Sequence, residues 1–95
     1  MDASAARPVV TVKIAAVLAD LFPGAPREFI VQAQCVGEMI DALDQQFPGM
    51  GDRIRDSRPA IRKHMNVFVD GERATLDTPL SHHDEVFVIT AISGG

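Results

Sequence analysis

Apolar and polar residues alternate at the start of the chain. Over residues 9–15, Val10, Val12 and Ile14 take turns with Val9, Thr11 and Lys13, the period of two expected of a half-buried strand with the first set inward. Residues 16–22 hold a short apolar patch (Val17, Leu18, Leu21, Phe22) stopped by Pro23, Gly24 and Pro26, which limits it to one or two helical turns within a connection. Residues 27–33 predict a second strand whose buried set is either Phe29 with Val31 or Ile30 alone. The period then changes. Val36, Met39, Ile40, Leu43 and Phe47 recur at spacings of three and four, with Glu38, Asp41, Asp44 and Gln45 between them, which predicts an amphipathic helix over 36–47 ended by Pro48-Gly49. Cys35 stands where Ser, Thr or Asp would cap that helix.

Residues 51–64 read as irregular and polar, with Pro59 barring a long helix and Ile54 and Ile61 as anchors to the core. Residues 65–70 predict a third strand, Asp70-Gly71 a tight turn, and Glu72, Arg73 and Ala74 a short return strand. Leu76 and Leu80 flank a turn at Pro79 and are expected under the sheet, before a last strand over 85–91. The order is strand, strand, helix, strand, short strand, strand. It fits an α+β fold: a mixed sheet of four to five strands with one main helix packed across one face. The long connection before the last strand allows it to lie parallel to the first, the pattern of a β-grasp. The expected division is a leader at 1–8, a β-grasp domain at 9–91 and a tail at 92–95.

Composition narrows the function classes. A chain of 95 residues, 46% hydrophobic and 23% charged, has the balance of one small globular domain. A formal charge of -4 and a pI near 5.1 argue against a nucleic-acid binder, whose phosphate contacts require a basic surface. No apolar run approaches the roughly 20 residues needed to span a bilayer, and residues 1–8 lack the pattern of a signal peptide. The expected location is the cytoplasm, with no membrane partner.

Most side chains with reactive potential have a plain structural reading. Cys35, beside the amphipathic helix, reads as a half-buried structural thiol. His82, His83 and Asp84 diverge as neighbours in a turn and have no distant Cys or His to complete a metal site, so no metal is expected. Arg53, Arg55, Arg58, Arg62 and Lys63 concentrate basic charge, diluted by Asp52 and Asp56, in what reads as a solvated loop. No nucleophile and base are paired. The diglycine Gly94-Gly95 is different, because glycine adds no packing and costs entropy to order. It suits a backbone that must thread a narrow space, which makes the carboxylate of Gly95 the candidate functional group.

Residues 65–72 (MNVFVDGE), 76–80 (LDTPL), 84–88 (DEVFV) and Gly94-Gly95, taken with the element order over 9–95, resemble the ubiquitin-like sulfur-carrier family of MoaD and ThiS proteins. The arginine-rich segment between helix and third strand is more similar to MoaD- and CysO-type members than to the compact ThiS type. Two departures stand out: Cys35 where the family often has Thr, and His82-His83 where it often has Asp-Gly before Asp-Glu-Val.

The resemblance implies that the chain is a carrier rather than an enzyme, with no bound cofactor. A ubiquitin-activating-type enzyme would use ATP to adenylate Gly95, and sulfur would displace AMP to give a thiocarboxylate. Gly94 would let the tail pass into the partner's narrow site. A sulfur-accepting synthase, similar to a molybdopterin synthase large subunit or a cysteine synthase, would be the second partner; molybdopterin, cysteine, thiamine and specialised sulfur metabolism all stay open. Phe68, Phe87 and Ile89, facing away from the helix by strand alternation, would form the docking patch. A leader or the 51–64 segment covering that face is the competing reading. Two rivals for the function are a protein modifier joining Gly95 to lysine amines and a β-grasp binding module without tail chemistry.

Overall fold

The computed structural model describes residues 7–90; the expectations for most of the leader (1–6) and for residues 91–95, the tail included, lie outside them. The first alternating stretch forms β1 (Val9–Ile14), followed by a single helical turn, α1 (Ala16–Ala19), and by β2 (Glu28–Gln32). In β2 the alternation settles on Phe29 and Val31 inward, while Ile30 is 69% exposed. The helical period forms α2 (Val36–Gln46). A further helix, α3 (Met50–Ile54), precedes β3 (Met65–Val69), β4 (Glu72–Arg73) and β5 (Glu85–Thr90).

The five strands make one mixed sheet in the order β2-β1-β5-β3-β4. β5 lies parallel to β1 and antiparallel to β3, so the last strand occupies the centre of the sheet. The inward residues of the strands, Val10, Val12, Val67, Val86 and Val88 among them, share one core with Val36, Met39, Ile40 and Leu43 of α2. Among the described residues no polar or charged side chain is buried there. Phe47, just past α2, meets Phe29 edge to face at 5.9 Å between ring centroids.

The uncapped start of α2 has a tertiary explanation. Cys35 makes no capping hydrogen bond. Instead the amides of Val36 and Gly37 donate to the carbonyls of Thr78 (3.0 Å) and Leu76 (2.9 Å), so the loop around Pro79 satisfies free helix-start donors that a side chain would otherwise take. A Cβ at Gly37 would sit 3.4 Å from the Leu76 carbonyl, an ordinary contact, so the approach does not depend on glycine there. Glu38 Oε1 accepts from the Gln34 amide at 2.9 Å, a displaced form of the reciprocal cap.

The segment expected to be irregular from residue 51 begins instead with α3, and Met50 is as deeply buried as Ile54. Asp44 on α2 is the reason. Its Oδ1 accepts from the amides of Gly49 (3.0 Å) and Gly51 (2.9 Å), restarting a helix after the break at Pro48-Gly49. A Cβ at Gly51 would lie 3.0 Å from Asp44 Cβ and Oδ1, a tight contact to which the doubly hydrogen-bonded Asp44 would have to give way. Beyond α3, Ile61 packs at the edge of the core as expected. The β3–β4 hairpin turns through Asp70 (φ 50°) and Gly71 (φ 89°), both left-handed as a two-residue turn of this hand requires.

Candidate functional site

The outer face of the sheet, away from α2, is built around β5. Register places Lys13 of β1 and Phe68 of β3 on either side of Phe87, and Arg73 of β4 beyond Phe68. Ile89 lies opposite Asn66. Phe87 and Ile89 are each 37% exposed, and Phe68 is half-buried. The three residues expected to share a face therefore do so. They line it as a short apolar strip along the two central antiparallel strands.

Basic groups flank that strip. Lys13 Nζ lies 5.5 Å from the centroid of the Phe87 ring and 2.9 Å from Glu85 Oε2. The hydrogen bond to Glu85, then its charge, holds the Lys13 ammonium above its ordinary pKa. On the other side Arg73 donates from Nη2 to Asn66 Oδ1. An open groove of about 550 Å³, lined by Lys13, Ala15, Arg27, Glu28, Phe87 and Ile89, runs beside the strip. Sequence reasoning missed Lys13 and Arg73 because their place depends on register. The signal was present: Lys13 is an outward position of β1, and a parallel first-to-last strand pairing sets it beside β5.

Of the two competing covers, most of the leader lies outside the described residues. Most of the arginine-rich segment is occupied elsewhere: Arg55 pairs with Asp41 at 2.8 Å, Arg58 with Asp56 at 2.6 Å, and Arg62 donates to the Asp52 carbonyl. The Arg58 hydrogen bonds hold Asp56 down to a pKa of about 2. His82 and His83 tilt against each other at 4.0 Å between ring centroids, and His82 Nδ1 accepts from the Val9 amide at 3.1 Å. Among the described residues no group of three metal-binding side chains gathers. Gly94 and Gly95, which follow β5 in the sequence, lie outside the described residues.

A sheet with its last strand central and parallel to its first, a helix across one face and an apolar strip on the other, defines a ubiquitin-like β-grasp domain. The model of the ThiS family matches residues 20–95, and the chain belongs to that family of ubiquitin-like sulfur carriers. No curated protein matches the chain. Among solved structures it is similar to SAMP1 from Haloferax volcanii at 28% identity and a TM-score of 0.76, over 92% of this chain and 99% of that one. A chain of the BexX/CysO complex of Amycolatopsis orientalis shares the fold at 23% identity and a TM-score of 0.80, over 90% and 99%. A putative molybdopterin converting factor subunit 1 from Pyrococcus furiosus does so at 18% identity and a TM-score of 0.69, over 90% and 99%. Family members are small carriers rather than catalysts. No described helix is long and apolar enough to cross a membrane.

Proposed function

We propose that the chain is a cytoplasmic sulfur carrier acting through the carboxylate of Gly95. The observation that carries this reading is the family match running through Gly94-Gly95, which follow in sequence a central strand whose outer face displays Phe87 and Ile89. A carboxylate is a poor electrophile. A ubiquitin-activating-type enzyme would use ATP to convert it to a mixed anhydride with AMP, releasing pyrophosphate, and sulfide-level sulfur from a donor would displace AMP to leave a thiocarboxylate. That group is ionised at neutral pH and nucleophilic, as thiolates are. It would pass sulfur to a synthase of the molybdopterin synthase or cysteine synthase kind. No cofactor is held by the carrier in this scheme, and its side chains position the tail rather than catalyse.

Phe68, Phe87 and Ile89 would dock the activating enzyme, with Lys13 and Arg73 seeking acidic groups around the partner's apolar pocket. A second reading, a protein modifier that joins Gly95 to lysine amines, is favoured by the 28% identity to SAMP1, a name that a second Haloferax volcanii structure spells out as small archaeal modifier protein 1. Removing Gly95 abolishes both chemistries with the fold intact, so activity retained by that variant defeats both. Phe87→Glu tests the docking face. As a surface change it alters stability by less than about 0.5 kcal/mol, yet it lowers affinity for the activating enzyme at least about tenfold as a buried anchor would. Unchanged affinity removes the strip from the interface.

A further inference from the structure

We propose that β2 is a self-pairing edge, on which a second copy of this chain docks antiparallel about a two-fold axis at Ile30. β2 is one border of the sheet, and the opposite border, β4, is only two residues long. The ladder phase is fixed by two bonds. Ile14 N–H donates to the Arg27 carbonyl, and Ala33 N–H donates to the Pro8 carbonyl. With the register Val12 to Phe29 and Val10 to Val31, the odd-numbered residues of β2 bond to β1, and Glu28, Ile30 and Gln32 direct their N–H and C=O groups outward. Among the described residues nothing bonds to those outward groups.

An open edge normally carries a charge, a proline or a bulge near its middle to discourage pairing. Here the middle residue is Ile30, the most exposed large apolar side chain among the described residues at 69%. The three outward-bonding residues are symmetric about it. Antiparallel pairing centred there matches Ile30 with Ile30 of the second copy and Glu28 with Gln32 of the second copy. Every outward N–H and C=O then finds a partner. The polar pair is a carboxylate facing an amide, and no like charges meet. On the inner face Phe29 would neighbour Val31 of the second copy, extending the apolar layer. Shifting the register by two residues would instead bring Glu28 opposite Ile30 or leave Ile30 unmatched, so the two-fold at Ile30 is the complementary arrangement.

A two-fold relating antiparallel edge strands runs perpendicular to the sheet, so both copies present their outer faces on the same side. Five interstrand steps of about 4.8 Å would separate the two β5 strands by roughly 24 Å. The dimer therefore leaves the Phe87 strips open and displays them as a pair. The proposal stands on the edge alone and does not depend on tail chemistry.

The contact area of one strand pair is small, which sets the association in the range of weak complexes. The test is amide and methyl NMR of the full chain from about 20 μM to about 2 mM, spanning that weak range. An isotope-filtered experiment on a mixture of labelled and unlabelled copies is added. The expected result is concentration-dependent shifts centred on Glu28, Ile30 and Gln32, with an intermolecular contact between Ile30 methyl groups. Ile30→Lys, at an exposed site, keeps the circular dichroism spectrum and loses the association. No concentration dependence up to about 2 mM overturns the proposal, as does association through Phe87 and Ile89 or association that survives Ile30→Lys. Shifts at β2 that arise only when the adenylating enzyme is added assign the edge to a different partner and equally overturn it.

Discussion

Among the described residues two without glycine's freedom hold a left-handed backbone, Asp70 in the hairpin turn and His83 just before β5, and His83 is the one outside a turn that calls for it. Its φ of 73° is left-handed, a region costing a residue with a Cβ roughly 1–2 kcal/mol. The conformation persists because the His83 amide donates to the Val9 carbonyl at 2.8 Å and the next residue, Asp84, closes the turn by donating to the Ser81 carbonyl at 3.0 Å. Asp84 Oδ2 also accepts from the Ser81 amide at 2.7 Å. The family resemblance puts glycine at this place, and the geometry supplies the reason. His83→Gly is predicted to raise stability by up to about 1 kcal/mol after the extra freedom glycine gives the unfolded chain. That corresponds to roughly 4–8 °C in Tm for a domain of this size. Thermal unfolding checks it, and an unchanged or lower Tm contradicts the strain argument. Cys35, the other departure, is tolerated for a different reason: the carbonyls of Leu76 and Thr78 reach the helix start from a remote loop.

At the scale of elements, α3 shows where reading the sequence fell short. Pro48-Gly49 is a sound stop signal and α2 does end there, but the apolar spacing continues from Phe47 to Met50 and Ile54 in steps of three and four. A period that survives a helix breaker is a sign that the chain restarts on the same face, and Asp44 supplies the hydrogen bonds for the restart. Met50, fully buried, is then a core residue. Met50→Ala is predicted to cost about 2–5 kcal/mol, measured by urea unfolding; a cost near that of a surface change, below about 0.5 kcal/mol, would mean α3 adds little to the core. The long elements were legible because period decides them: β1, α2, β3 and β5 all fall within a residue or two of the expected limits. β2 left two burial patterns open, since Phe29, Ile30 and Val31 are all apolar and alternation cannot choose among them. Only the pairing with β1 does so. The basic flank of the candidate site was hidden for the same reason: Lys13 and Arg73 meet the Phe68–Phe87 pair through register, not through sequence proximity.

For the whole molecule, the parallel pairing of first and last strands places β5 in the middle of the sheet, gripped by β1 and β3 over most of its length. A pull applied at the carboxyl terminus is thereby borne by the best-anchored strand, while the outer face of that strand stays open to a partner. That arrangement suits a domain whose chemistry takes place at a terminus inside another protein's site. Whether Gly95 carries sulfur is read out by intact-mass analysis. The protein is isolated from its native host, or incubated with a ubiquitin-activating-type enzyme, ATP and a sulfur donor, and the terminal peptide is fragmented. The expected result is a species heavier by the difference between one sulfur and one oxygen, confined to Gly95. A terminus that stays an unmodified carboxylate under both conditions, or Gly95 found joined to lysine amines without a thiocarboxylate form, would contradict it.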